Sequence, residues 1–358
     1  MYIKSLNLTD YRNIRSLHLD LDPEINIIYG ENAQGKTNIL ESIYMCSTGR
    51  SHRSSVTDRD IIAFDSKEAH ISLNVVSSCN DKIDIHLTYN KKKSISVNGV
   101  AVQKLGDLFG IVNTVFFSPQ DLQLIQAGPS ERRRFADIEI CQINNIYYYH
   151  LKSYYKLLKQ RNNLLKALQT NRKQLDMLDI YDLKLCENGI KLINIRSDFI
   201  NKLNTFIRDI HLKISSGREE LRLEYKPDVK AEDFLLKLTK NREKDIIYGS
   251  TSVGIHKDDI LFLLNDINAK SFGSQGQQRS ACLSVKLGEL ELIKAEKGSN
   301  PVLLLDDVLS ELDKNRQKSL IEGIGNIQTI ITCTGIEDSI KNLSQNSKIF
   351  NIKNGKIL

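Results

Sequence analysis

Eight consecutive residues, Gly30-Glu31-Asn32-Ala33-Gln34-Gly35-Lys36-Thr37, fit the spacing GxxxxGK[ST]. A loop of this composition turns its backbone amides toward one point, and a helix starting where it ends adds its unpaired first-turn amides. Phosphate oxygens are the natural acceptors. Lys36 would reach the β- and γ-phosphates of a nucleotide, and the Thr37 hydroxyl would ligate Mg²⁺. A second half lies about 270 residues further on, where the apolar run Val302-Leu303-Leu304-Leu305 meets Asp306-Asp307. Asp306, at the strand tip, would hold Mg²⁺ directly or through water. Asp307, one residue further out, would orient or deprotonate the attacking water. Adjacent acids at the end of a buried strand lose hydration, and a nearby cation compensates.

A third segment is Ser271-Phe272-Gly273-Ser274-Gln275-Gly276-Gln277-Gln278-Arg279. It opens a helix through residues 281–291 with Ser274 as its N-cap. A small, Gly-rich helix start carrying a hydroxyl is a second phosphate-binding device, and the first loop leaves it spare within one copy of the chain.

These groups need elements to hold them. Ile25-Asn26-Ile27-Ile28-Tyr29 reads as a buried strand before the loop, and Ile39, Leu40, Ile43 and Tyr44 follow it at helical spacing. Between residues 60 and 102 the period falls to two, through Ile71, Leu73 and Val75, then Ile83, Ile85 and Leu87, then Ile95 and Val97. The Asn98-Gly99 pair marks a type I′ hairpin in this meander. After Pro129 there is no proline until Pro227, and Gly189 is the only glycine between Gly128 and Gly217. Leu151, Leu158 and Leu165 lie seven apart, which predicts two or three long antiparallel helices in a short lobe; the heptads stop too soon for a projecting coiled coil. Strand signals return from Leu221 and end in a hairpin at Asn354-Gly355. One α/β domain is therefore expected from residues 1–135 and 216–358, interrupted by a helical lobe at 136–215, with 216–250 assignable to either part.

The 358 residues are 41% hydrophobic and 26% charged with five prolines, the composition of a folded globular chain. No window of 18 apolar residues occurs and no apolar leader follows Met1, so neither a membrane span nor a signal peptide is expected. The six cysteines never form a CxxC pair, which argues against zinc or disulfides and for a reducing cytoplasm. A net charge of +6 permits a nucleic-acid partner without demanding one. Lys91-Lys92-Lys93, Arg132-Arg133-Arg134 and the lobe, with 12 Lys/Arg against 7 Asp/Glu over residues 138–211, could neutralise phosphates without reading bases.

In order, the phosphate loop, the Ser-x-Gly-Gln signature, the aspartate-ended strand and Ser310-Glu311-Leu312-Asp313 as a D-loop resemble an ABC-type ATPase head. Within that class the whole chain resembles the RecF family, bacterial recombination-mediator ATPases related to SMC proteins. The resemblance rests on Tyr11-Arg12-Asn13, Ser51-His52-Arg53, Pro119-Gln120-Asp121-Leu122, Gly128-Pro129-Ser130-Glu131-Arg132-Arg133-Arg134-Phe135 and Gly254-Ile255-His256-Lys257-Asp258-Asp259, besides the segments above. It departs from the pattern at Gln120, usually an acid, at Ala127, usually glycine, at Ala136, usually a larger aliphatic, and at Ile255, usually proline. The switch histidine of transporter ATPases is missing; Thr332, Cys333 and Thr334 stand there, where a hydroxyl would sense the γ-phosphate instead.

The resemblance implies an ABC/SMC-type P-loop ATPase head with an antiparallel β-meander and an inserted helical lobe. It implies ATP and Mg²⁺, with Thr37, Asp306 and Gln120 at the metal, Asp307 and Lys36 in slow hydrolysis, and Ser274, Gly276 and Gln277 acting on the nucleotide of a second copy. Ser310 and Asp313 would belong to the D-loop. Arg12 and Arg53 would touch phosphate or the opposing copy, although both read equally as structural arginines; Gln120 reads also as an ordinary loop amide. An ATP-dependent homodimer on double-stranded DNA near single-strand junctions is implied, working with RecR, and with RecO, to load RecA. A transporter subunit would need the missing histidine and a membrane partner, and an SMC head several hundred coiled-coil residues or a Cys-x-x-Cys hook. A scaffold that binds ATP with negligible hydrolysis would carry the same residues.

Overall fold

The computed structural model describes residues 1–53, 56–78, 80–89, 92–335 and 347–358. The chain divides into two compact units, one of residues 1–122, 213–217 and 282–358, the other of 123–212 and 218–281. The first unit opens with β1 (Tyr2–Tyr11), β2 (Ile14–Asp20), β3 (Ile25–Tyr29) and α1 (Lys36–Thr48). The meander β4 (Glu68–Val76), β5 (Asn80–Thr88), β6 (Ser94–Val97) and β7 (Val100–Ala101) follows, then β8 (Thr114–Phe117). An antiparallel sheet forms in the order β2-β1-β4-β5-β6-β7. Its last turn is type I′, with Asn98 at φ 52° and Gly99 at φ 78°.

The second unit contains α2 (Gln123–Gln126), α3 (Pro129–Ile143), α4 (Asn145–Leu168), α5 (Met177–Ile214), β9 (Leu221–Lys226), α6 (Phe234–Lys240), α7 (Arg242–Tyr248), β10 (Asp259–Leu264), β11 (Ile267–Asn268) and α8 (Ala269–Phe272). The ends of α5 and α9 (Gln275–Lys297) extend into the first unit. That unit is completed by β12 (Val302–Asp306), α10 (Lys314–Ile324), β13 (Thr329–Cys333), β14 (Ser347–Lys353) and β15 (Lys356–Ile357). Its second sheet runs β15-β14-β3-β13-β12-β8, parallel throughout except for the closing β14–β15 hairpin.

Helix α1 lies between the two sheets of the first unit and packs on β12 and β13 from one and β4 and β5 from the other. It is buried on nearly every side, as a helix between two layers must be. Its polar residues are satisfied locally: Ser42 and Thr48 donate to Ile39 O and Tyr44 O, and Ser47 pairs with Thr114 of β8 at 2.6 Å.

The second unit takes in residues 218–281 besides the helices, beyond the lobe of 136–215 and past the 216–250 span left assignable to either part. The long helices carry apolar stripes that need cover, and residues 218–281 supply it. Gly189 of α5 lies so close to Phe234 of α6 that a Cβ there would sit 2.1 Å from the ring. Fully buried Arg161 of α4 bridges Asp182 of α5 at 2.6 Å and Asp245 of α7 at 2.7 Å. Buried Arg196 of α5 joins Asp137 of α3 and Asp258, before β10, at 2.7 and 2.8 Å. Among the described residues no helix is long and apolar enough to cross a membrane.

Candidate functional site

Residues 30–35 form the loop that joins β3 to α1, whose first residues are Lys36 and Thr37. Gly30 (φ 156°), Ala33 (φ 63°) and Gly35 (φ 107°) take positive φ, which lets successive amides face one concavity. Gly35 is also the N-cap of α1, with no side chain capping the first turn. Two hairpin turns brace the loop. From the β1–β2 turn, Asn13 donates to Ala33 O at 3.3 Å and accepts from Asn38 at 2.8 Å. From the β14–β15 turn, the amides of Asn354 and Gly355 donate to the Gln34 side-chain and backbone oxygens at 2.6 and 3.1 Å. A Cβ on Gly30 would lie 2.3 Å from Ile352 O of β14, so the loop has no room to shift toward that strand.

Lys36 arches over the loop, its ammonium donating to Gly30 O at 2.5 Å and Glu31 O at 2.8 Å. Burial lowers its pKa, against the opposing pull of Asp307, Cys333 and Asp306. Parallel pairing of β12 and β13 sets Asp306 beside Thr332. Asp306 Oδ1 accepts from both the Thr37 and Thr332 hydroxyls at 2.8 Å. Burial raises the Asp306 carboxyl above its ordinary pKa; the hydroxyls of Thr332 and Thr37 pull it down and neighbouring Asp307 pushes it up again. Asp307 has φ 54°, and its amide donates to Thr332 Oγ1 at 3.1 Å. Lys36, Thr37, Asp306 and Asp307 are thus gathered at the ends of parallel strands. Thr332, one of the residues standing where transporter ATPases carry their switch histidine, joins them, and its hydroxyl is directed to Asp306.

Arg12 lies at φ 52° and grips Glu41 of α1 through Nε at 2.5 Å and a terminal nitrogen at 2.7 Å. Glu41 is fully buried and also accepts from Ser51 at 2.5 Å and Tyr11 at 3.2 Å. Burial alone would raise its carboxyl pKa, but Arg12 and then Ser51 outweigh it and hold the group below the ordinary carboxylate value. Nothing local marked Glu41, an acid inside an apolar helix. The positive charge of Arg53 is felt at both Glu41 and Asp306. His52 stacks on Phe116 with ring centroids 4.3 Å apart. Gln120 is exposed in the short turn after β8, next to Asp121, whose carboxylate accepts from Ser118 N at 2.6 Å.

Residues 274–277 form the start of α9. Ser274 is exposed and caps α9: its hydroxyl accepts from Gln277 N at 3.3 Å while Gln277 Oε1 accepts from Ser274 N at 2.7 Å, a reciprocal capping box. Gln277 also donates to Glu219 at 2.9 Å, which leaves Ser274 and Gly276 at the helix tip. Further on, Ser310 donates to Asp307 O at 2.8 Å and Asp313 caps α10.

The basic clusters divide. Arg132 is buried, pairs bidentately with Asp259 at 2.7 and 3.1 Å and donates to Leu124 O and Ala127 O, so it is a structural group and not a surface cation for DNA. Arg133 donates to Asp258 O, Arg134 lies 3.7 Å from Glu131, and Lys93 pairs with Asp58 at 2.8 Å. Lys92 is exposed, and Lys91 falls outside the described residues. His256 bridges Tyr154 and Thr251 O inside the second unit, a structural placement.

The chain matches the model of the RecF/RecN/SMC N-terminal domain over residues 2–357. It is 51% identical to the DNA replication and repair protein RecF of Lachnospira eligens and 46% identical to that of Lachnoclostridium phytofermentans, covering all of this chain and 99% of each relative. A solved recombination mediator protein RecF with an ATP analogue, from the RecFOR pathway, superposes with a TM-score of 0.92 at 36% identity, covering 99% of this chain and 97% of that one. An Smc head domain from Pyrococcus furiosus is similar in fold, with a TM-score of 0.56 at 16% identity, covering 100% of this chain and 96% of that one.

Proposed function

The chain belongs to the RecF family of DNA replication and repair proteins, and on that premise we propose that it is an ATP-driven switch whose two copies close over nucleotide and clasp duplex DNA. The observation that carries this reading is the pairing of a complete phosphate and aspartate site with an exposed, capped signature helix start. The loop amides and Lys36 bind the phosphates. The Ser274 and Gly276 tip of the second copy covers the γ-phosphate, so that two symmetric sites form at once. Asp307 takes a proton from the attacking water as the new oxygen–phosphorus bond forms. The bond between the γ-phosphorus and the bridging oxygen breaks, and that oxygen leaves with ADP.

The donor set suits Mg²⁺: hard oxygens from Thr37 and Asp306, and a buried carboxyl whose raised pKa a cation would reverse. Bound there, the ion would neutralise charge on the β- and γ-phosphate oxygens. Gln120 would reach the same water shell. Arg53 is the better candidate of the two arginines for contact with phosphate or the opposing copy, because Arg12 is committed to Glu41. Duplex DNA near gaps, RecR, RecO and the loading of RecA complete the reading through the family.

Light scattering with and without ATP and Mg²⁺, repeated with Asp307→Asn, tests it. A monomer-to-dimer shift that needs ATP and persists in the variant, with hydrolysis reduced at least about 100-fold, is expected. No shift in either protein would leave an ATP-binding fold without the clamp.

A further inference from the structure

The outer face of the β4–β5 pair carries a constellation that the nucleotide chemistry does not use. His70 and His86 are directly opposed across the strands, with rings stacked at 4.0 Å between centroids. Glu68, two residues along on the same face, reaches both: its oxygens lie 3.0 Å from His86 Nε2 and 3.8 Å from His70 Nε2. One donor atom from each residue falls within 4.8 Å of the other two.

From this geometry we propose a surface site for a divalent transition ion of the Zn²⁺ class, ligated by Glu68, His70 and His86. Two imidazoles and one carboxylate suit Zn²⁺, Ni²⁺ or Cu²⁺ and are poor for Mg²⁺, which wants oxygen. Tetrahedral bonds of about 2.0–2.1 Å put donor atoms about 3.3 Å apart, so the stacked rings need only a small turn at their tips to converge. The backbone prepares this, because directly opposed strand residues hold their Cβ atoms about 5 Å apart.

The neighbours leave room. The cross-strand row reads Ser16, Thr9, His70, His86, Ser94, so small hydroxyl residues flank the imidazoles on both sides. Two neighbouring carboxylates are already paired, Asp84 with Lys82 at 3.2 Å and Asp10 with Arg15 at 3.0 Å. The opposite face of these strands is anchored by buried Ala69, Ile71, Ile85 and Leu87, which fixes the register that brings the ligands together. Three protein ligands leave a fourth position for water or an external donor.

The test is calorimetric titration of the full, untagged, nucleotide-free chain with ZnCl₂, alongside His70→Thr, His86→Thr and Glu68→Gln. Threonine suits an exposed strand position, so the variants should keep the parent melting temperature without metal. One equivalent of Zn²⁺ should bind the parent and be weakened at least about tenfold in each threonine variant. Histidine NMR should show two of the seven imidazoles shifting with Zn²⁺ and neither responding to Mg²⁺. Isotherms unchanged in both threonine variants, or parent binding weaker than about 0.1 mM, would overturn the site.

Discussion

Replacing Arg12 by Ala separates a structural arginine from one that serves phosphate or a second copy. Glu41 is fully buried and Arg12 supplies two of its four hydrogen bonds. Removing one partner of a buried ion pair costs about 3–5 kcal/mol. The stranded carboxyl has one escape, which is to bind a proton. For a glutamate of ordinary pKa that costs about 3.7 kcal/mol at pH 7 but only about 1 kcal/mol at pH 5. The deficit of Arg12→Ala should therefore be about 3–4 kcal/mol near neutrality and shrink to about 1–2 kcal/mol at pH 5. The sign holds from both directions. In the parent, Glu41 is held below its ordinary value, so its contribution is present above the ordinary carboxylate range and lost as pH falls through the depressed pKa. In the variant, burial without Arg12 raises the carboxyl, so stability falls as pH rises through it. Urea unfolding at the two pH values measures the difference. Adding Glu41→Leu should recover most of the loss, because an apolar pair no longer strands a charge. A deficit below about 1 kcal/mol, or one that ignores pH, would refute the reasoning and return Arg12 to phosphate or partner contact.

Three further substitutions probe the rest of the site. Asp306→Asn should stabilise the nucleotide-free chain near neutral pH by about 1 kcal/mol, since burial already raises that carboxyl, while Mg²⁺-dependent hydrolysis disappears; a fall in melting temperature would contradict this. Gly30→Ala forces a Cβ against Ile352 O, so a loss of about 2–3 kcal/mol and at least tenfold weaker binding of a fluorescent ATP analogue are expected; parent-like affinity would mean the loop can yield. Ser274→Arg places a long cation at the exposed tip of α9 and should abolish ATP-dependent dimerisation with nucleotide affinity unchanged. Normal dimers in that variant would sink the shared-site model.

Short-range features were legible from the residues alone, because each is decided within a few positions of itself. The phosphate loop, the aspartates closing a buried strand, the Ser274 cap and the turns at Asn98-Gly99 and Asn354-Gly355 all stand where spacing and backbone preference put them. What the tertiary structure decided depends on distant pairing and on burial. Strand alignment brings Thr332 to Asp306, and sandwiching between two sheets removes water from Glu41 and so gives Arg12 its task. Arg132 looked like part of a basic patch until packing aimed it at Asp259. The second unit outgrew the helical run because amphipathic helices must be covered, and composition does not say by what. His70 and His86 are 16 residues apart on two strands of the meander, and only strand register makes them neighbours. A hydrogen bond or cap is local chemistry, whereas the desolvation that turns a charge into a structural tie exists only once the chain has closed around it.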